Sequence, residues 1–121
     1  MSILVFANGE PIWNPSRQVG ELFAEELRAL EPMVGTVSSF IIDDADEVHL
    51  DRDAFDTFVI GLIRAVDTTD HPAFLALAAG PAQVAIALQH RLTGTWPTVS
   101  QRCVPLVTGA QSLARQGVGR S

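Results

Sequence analysis

Apolar and polar positions follow a helical period in the first third of the chain. From Asn14 to about residue 30, apolar residues fall at i, i+3, i+4, i+8 and i+11 and predict one buried stripe, formed by Val19, Leu22, Phe23, Leu27 and Leu30. Asn14 is the predicted N-cap, and Pro15 suits the first helical position. Pro32 is expected to end the helix, because proline disfavours helical geometry in the residue before it.

A second helical pattern begins after Asp51, the predicted N-cap. Its apolar residues again repeat at helical spacing: Phe55, Phe58, Val59, Leu62, Ile63 and Val66. A third helical segment, rich in alanine, extends from Pro72 to about Arg91. Pro81 removes a backbone donor and clashes with the carbonyl of Leu77, which predicts a kink or two helices meeting there.

Shorter apolar runs predict strands. Residues 3–6 and the pair Ile12-Trp13 flank Asn8-Gly9, a strong signal for the tight turn of a β-hairpin. Residues 40–42 and 48–50 form either a second pair of short strands or a single strand preceded by an acidic loop.

These elements predict an α+β fold: an N-terminal β-hairpin, a second short strand pair or a single strand, and three to four helices packed on one face. The predicted domain covers residues 1–94. Residues 95–121 are expected to form a basic, partly ordered C-terminal extension, with one short helix at 107–116 and a frayed end from 117 onward.

Composition narrows the functional classes. The chain has 121 residues, of which 47% are hydrophobic and 18% charged, so it is neither disordered nor collagenous nor a coiled coil. A single cysteine, Cys103, excludes a disulfide framework and is expected to behave as a small hydrophobe. The net charge of −6 argues against nucleic acid as a partner.

The uncharged third helix has the length of a membrane span, but a Gly-Pro step and two glutamines interrupt it, so no membrane partner is expected. The N-terminus lacks the positive region of a secretory signal, which predicts a cytoplasmic location.

Charge is unevenly distributed along the chain. All acidic residues lie between Glu10 and Asp70, whereas residues 71–121 carry four arginines and no acid. An acidic face that binds a basic protein partner is the leading candidate site, since charge complementarity accelerates and orients association. Its predicted residues are Asp43, Asp44, Asp46, Glu47, Asp53 and Asp56. Self-association through the alanine-rich helix or through Ile60 is also expected.

Other chemistries find little support in the sequence. The acidic segment lacks the glycine and the terminal glutamate of a calcium loop, and the three histidines have no metal-binding spacing, so no metal is predicted. Phosphate-binding and nucleophile motifs are absent, and no cofactor is expected. A small-molecule ligand would need an apolar pocket, for which the candidate lining residues are Trp13, Phe23, Phe55, Phe58 and His71.

Three short motifs connect the chain with a known family. They are Trp13-Asn14-Pro15-Ser16 at a helix start, the segment from Asp46 to Asp51 that leads into Phe55 and Phe58, and His71-Pro72 at the last long helix. Over residues 8–93 they resemble a family of small actinobacterial proteins that is catalogued as a domain of unknown function. Gly80 matches a family glycine, whereas Pro81 and the residues after Gly94 depart from the pattern. The resemblance implies a bacterial cytosolic protein and supplies no catalytic residue or cofactor.

The sequence therefore favours a non-catalytic binding or accessory protein, either immunity-like or homo-oligomeric. The alternative is a small cofactor-independent enzyme or ligand carrier with an enclosed apolar pocket and one ionisable group directed into it.

Overall fold

The computed structural model describes residues 1–119 and confirms the α+β fold, with a three-stranded sheet and four α-helices. In chain order the elements are β1 (Leu4–Ala7), β2 (Glu10–Trp13), α1 (Arg17–Val34), β3 (Glu47–Leu50), α2 (Arg52–Thr68), α3 (Pro72–Thr93), a 3-10 turn (Gln101–Cys103) and α4 (Val104–Arg115).

The strand order in the sheet is β2-β1-β3. The predicted hairpin is confirmed: β1 and β2 are antiparallel, and Asn8 and Gly9 adopt the positive φ values of 53° and 78° that the turn requires. β3 pairs with β1 in parallel, with Leu4 opposite Glu47. The second strand pair does not form. Residues 40–42 are irregular, because Ser39 has a φ of 61° and its carbonyl accepts a hydrogen bond from the amide of Ile41. The single strand with an acidic loop is therefore the correct alternative.

The two faces of the sheet differ in burial. One face belongs to the core and presents Val5, Ala7, Val48 and Leu50. The opposite face presents Leu4, Phe6, Glu47 and His49, of which His49 is exposed and the other three are half-buried. Side chains of a β-strand alternate between the two sides of the sheet, so buried and less buried residues alternate along β1 and β3. The helices therefore cover one face of the sheet, as the sequence predicts.

α1 differs from its prediction at both ends. It begins at Arg17 with Ser16 as the N-cap, whose Oγ accepts a hydrogen bond from the amide of Val19. The predicted cap at Asn14 is wrong, because Pro15 is held in extended pairing, with its carbonyl accepting from the amide of Ile3. The helix continues through Pro32 to Val34 and is capped by Gly35, which has a φ of 87°.

The predicted buried stripe of α1 is correct only in part. Phe23, Leu27 and Leu30 are buried, but Val19 is 49% exposed and Leu22 is 61% exposed. The core therefore takes up a narrower face of α1 than the apolar pattern indicates, and the remaining apolar side chains lie at the surface.

α2 and α3 pack against each other and supply much of the core. α2 begins after Asp51, whose Oδ1 accepts from the amide of Ala54 at 3.0 Å, as predicted. α3 is one continuous helix, so the alternative of two helices meeting at Pro81 is wrong. Gly80 has no Cβ to clash with the proline ring, and the carbonyl of Leu77, which loses its amide partner, belongs to an exposed residue.

Among residues 1–119, α3 is the one helix long and apolar enough to cross a membrane by length and composition. Core helices pass the same criterion, and 44% of the apolar window of α3 is buried within this chain. The burial is concentrated in the C-terminal half of the helix, where Ala85 to Leu88 are at most 1% exposed.

The segment after Gly94 packs on α3 and α2. Cys103, Leu106 and Ala110 belong to the core, and the guanidinium of Arg102 donates to the carbonyl oxygens of Asp67 and Thr69 at the end of α2. The helix predicted at 107–116 is observed at 104–115. The predicted frayed end is a turn as far as residue 119, and Arg120 and Ser121 lie outside the described residues. The domain boundary at residue 94 stays a prediction.

Candidate functional site

The acidic loop before β3 is shaped by its own side chains. Asp43 Oδ1 accepts hydrogen bonds from the amides of Ala45 and Glu47, at 2.9 and 3.0 Å, and so closes the turn. Asp46 follows with a φ of 59° and its carboxylate accepts from Arg17 Nη1 at 2.5 Å. Asp43 and Asp46, two of the predicted partner-binding residues in this loop, are therefore already engaged within the chain.

Arg17 is a site residue that sequence reasoning did not select. Its guanidinium bridges Asp46 and Glu21, with Nε 2.9 Å from the Glu21 carboxylate. The hydrogen bond and the charge of Asp46 raise the pKa of Arg17 above its usual value. Asp46 and Arg17 are far apart in sequence, so only their meeting in the fold shows that the loop's charge is partly neutralised.

Three ligand-type side chains converge on the uncovered face of the sheet. Asp43, Glu47 and His49 each place one oxygen or nitrogen atom within 4.8 Å of the other two. His49 Nε2 lies 3.0 Å from Glu47 Oε1, and the imidazole stacks on Phe6 with ring centroids 5.0 Å apart. An imidazole and two carboxylates are a ligand set for a divalent cation. Their mutual contacts and the turn at Asp43 already account for the arrangement.

The acidic residues around α2 have different surroundings. Asp56 Oδ1 accepts from Gln89 Nε2 of α3 at 2.8 Å, and Gln89 is only 4% exposed. Asp44 and Asp53 are exposed, and their carboxylates contact no donor within residues 1–119. Of the predicted acidic face, these two residues alone keep carboxylates unengaged by the described part of the chain.

The predicted pocket-lining residues fall into three places. Trp13 and Phe23 make an edge-to-face contact, with centroids 5.8 Å apart, and line a depression beside α3. His71 lines another depression, where α2 ends and α3 begins. Phe55 and Phe58 are fully buried in the core and line neither of these depressions.

An apolar groove, here called the α1–α3 groove, follows the seam between these two helices and continues to the end of α2. Three depressions compose it, with volumes of about 450, 200 and 470 Å³. The first two share Glu26 and Pro81 as lining residues, and the last two share Met33 and Phe74, so the depressions adjoin one another. α1 and α3 are antiparallel along it, since Val19 lies beside Val84 at one end and Met33 beside Phe74 at the other.

The surface around the α1–α3 groove is unusually apolar for exposed helices. Leu22, Met33 and Leu77 are 61%, 63% and 78% exposed. Glu26 and His71 are the ionisable side chains that line the three depressions. Glu26 is half-buried and makes no hydrogen bond or ion pair within residues 1–119. The sequence held a signal for this surface: the apolar stripe predicted for α1 is wider than its core-facing side, and Val19 and Leu22 at its edge are exposed.

The interior offers little chemistry. The buried polar residues within the described chain are Ser38 and Gln89, and neither ionises. Cys103 is buried, with Sγ 3.8 Å from Asp67 Oδ1, and burial raises the pKa of its thiol. The neutral thiol is a poor nucleophile, in line with its expected role as a small hydrophobe.

Comparison with known proteins places the chain in a family. The sequence model of a family of unknown function, DUF6086, matches residues 1–116, which includes the segment after Gly94. No curated protein and no solved structure matches the chain.

Proposed function

The chain belongs to DUF6086, a family of unknown function, and we propose from its own surface that it is a non-catalytic binding protein that docks another protein on the α1–α3 groove. The observation that supports this proposal is the exposure of large apolar side chains along both walls of the groove, above all Leu22, Met33 and Leu77. Contiguous exposed apolar surface on a small domain is typical of a protein-interaction site.

The acidic face is a weaker docking candidate than the groove. Asp43, Asp46 and Asp56 already accept hydrogen bonds from the chain's own donors. A partner's cations would have to compete with these contacts. The groove, in contrast, gains from being covered, at roughly 25 cal/mol for each Å² of apolar surface removed from water.

The enzyme or carrier alternative finds less support in the geometry. It requires an apolar cavity closed around an ionisable group. The depressions of the α1–α3 groove are open to solvent, and the core holds no ionisable side chain with a free acid or base function within residues 1–119.

Site-specific photo-crosslinking tests the proposal. Leu77 is replaced by p-benzoylphenylalanine in the full chain, which is expressed in its native host cell and irradiated. We expect a covalent adduct with a partner protein, identified by mass spectrometry. The partner, made separately, should bind the wild-type chain in isothermal titration and bind the Leu77→Asp variant at least about tenfold more weakly, because a charge placed in an apolar interface must be desolvated.

Arg64 supplies the matched control. It is exposed on α2 and lines none of the three depressions, so the same photo-reactive residue at position 64 should give no adduct with that partner. Absence of an adduct at position 77, equal adducts at 64 and 77, or undiminished binding by Leu77→Asp would each contradict the proposal. Leu77→Asp should retain the wild-type melting temperature, because Leu77 makes few contacts with its own chain.

A further inference from the structure

We infer that the occupant of the α1–α3 groove is a basic amphipathic helix of another protein, and that Glu26 selects it by pairing with a lysine or arginine at its centre. The inference rests on the proposed function and adds the chemistry of the partner. Three properties of the groove support it: its length, the shape of its walls, and the position of its charge.

The length of the α1–α3 groove matches a short helix. Its α1 wall extends from Val19 to Met33, and at 1.5 Å per helical residue this span is about 21 Å. A partner helix of about 14 residues covers the same distance. Apolar side chains at i, i+3 or i+4, and i+7 of such a helix would lie over the successive depressions, which is the pattern of helix-in-groove recognition.

The α3 wall permits a close approach at Gly80. Gly80 lines the depression beside Trp13 and is exposed, and a Cβ added there would have no neighbour within 4 Å outside the helix's own backbone and adjoining residues. The absence of a side chain at this position leaves room for a second helix to approach α3. The wall carries no charge, since residues 72–89 contain no charged side chain.

Among residues 1–119, the carboxylate that lines the groove is that of Glu26, near its centre. Glu26 lines both of the adjoining depressions at the Trp13 end and in the middle, and it is half-buried without a partner within residues 1–119. An apolar occupant that covered it would leave a desolvated, unpaired charge, which is costly. A lysine or arginine opposite Glu26 removes that cost and fixes the register of the helix.

The same carboxylate disfavours a second copy of this chain as the occupant. In a two-fold symmetric dimer the central residues of the surface face their own counterparts. Glu26 would then lie near Glu26 of the other copy, and the like charges would repel. A basic partner also agrees with the excess of acidic residues in the first half of the chain.

Two synthetic peptides test the inference. Each is a fluorescein-labelled, lactam-stapled helix of about 14 residues with leucine at i, i+3, i+7 and i+10, and with alanine and glutamine elsewhere. One carries a central lysine between the leucine positions, and the other carries glutamate at that position. We expect wild-type protein to bind the lysine peptide at least about fivefold more tightly than the glutamate peptide in fluorescence anisotropy.

Variants at Glu26 and Glu25 locate the selectivity. Glu26→Gln should abolish the preference between the peptides, and Glu26→Arg should reverse it. Glu25→Arg is the matched control, because Glu25 is the adjacent acid of α1 but is exposed, pairs with Arg28 and lines none of the depressions. It should keep the wild-type preference for the lysine peptide.

The other outcomes separate the inference from the proposed function. Equal binding of both peptides, or a preference that Glu26→Arg does not change, would overturn the inference and leave groove docking intact. A dimer by light scattering that Leu77→Asp dissociates would show a second copy as the occupant and would also overturn it. Failure of both peptides, together with a crosslinked partner at Leu77, would show a partner of another kind. Failure of both peptides and of crosslinking at Leu77 would reject the proposed function as well.

Discussion

Replacing Asp56 by alanine removes the one carboxylate that holds the buried amide of Gln89. The Nε2–Oδ1 distance is 2.8 Å, Gln89 is 4% exposed, and its Oε1 has no hydrogen-bond partner within residues 1–119. The side chain of Gln89 therefore depends on Asp56 for its only side-chain hydrogen bond in the described structure. A bond to a charged acceptor is worth about 1.5–3 kcal/mol, and the half-buried position of Asp56 favours the lower end of that range.

We expect Asp56→Ala to lower the free energy of unfolding by about 1.5 kcal/mol, which corresponds to about 6 °C in melting temperature for a domain of this size. Gln89→Met should change stability by less than about 0.5 kcal/mol, because a side chain of similar shape replaces both the bonded Nε2 and the unpartnered Oε1. In the Gln89→Met background, Asp56→Ala should cost less than about 0.5 kcal/mol, since no buried donor is then left without an acceptor.

Urea unfolding followed by far-ultraviolet circular dichroism measures all four proteins, and the double-mutant cycle gives the coupling free energy directly. Asp53→Ala is the matched control on the same helix, because Asp53 is exposed and makes no side-chain hydrogen bond to the described chain. A coupling energy near zero, or an equal loss in Asp53→Ala, would refute the reasoning and place Gln89 among ordinary core residues.

Three further changes test the packing and the titration of the fold. Gly20→Ala should destabilise the protein by about 1–2 kcal/mol in thermal melts, although alanine has the better helix propensity. The new Cβ would lie 2.9 Å from Cγ1 of Ile3, which is fully buried. A rise in melting temperature would contradict this close contact between α1 and Ile3. Burial raises the pKa of Cys103, so on raising the pH the unfolded state loses its thiol proton first, and the free energy of unfolding should fall above about pH 8.5. This fall should be smaller in Cys103→Ala. Identical pH profiles of the urea midpoints in the two proteins would contradict the raised pKa of Cys103. Glu31→Ala should lower the free energy of unfolding by about 1–2 kcal/mol and increase amide hydrogen exchange in the loop that follows α1. Glu31 Oε2 accepts hydrogen bonds from both the amide and the hydroxyl of buried Ser38, at 2.8 and 3.0 Å. Unchanged exchange at Ser38 would show that other contacts hold the loop.

Local chemistry made part of the fold predictable from sequence. Asn8-Gly9 specified a hairpin because few residue pairs accept positive φ, and Asp51 specified a helix start because its side chain satisfies a free amide. Pro81 predicted either a kink or two helices, and the second alternative is wrong, because the consequence of a proline depends on the residue before it and on where the unpaired carbonyl lies. Gly80 directly precedes Pro81, and Leu77, whose carbonyl loses its amide partner, is an exposed residue; both make the continuous helix tolerable.

The candidate site was less predictable, because it depends on pairs distant in sequence. The acidic segment looked like one negative face, but Arg17 and Gln89 engage two of its carboxylates from other elements. Leu22 fitted the apolar period of α1 as well as the buried Phe23 does. The period shows which side chains are apolar, and only the neighbouring helix decides which of them it covers.

The arrangement of the sheet has a consequence for the order of folding. The central strand β1 meets β2 across a two-residue turn, whereas its parallel partner β3 lies more than forty residues further along the chain. Hairpins form within about 1–10 μs, but a parallel strand pair forms only after the long segment between its strands has folded or closed as a loop. Because α1 lies within that segment, we expect this helix to dock before β3 pairs with β1. Refolding should therefore protect the hairpin amides first, and the kinetic barrier should respond to the contacts that α1 makes with α2 and α3.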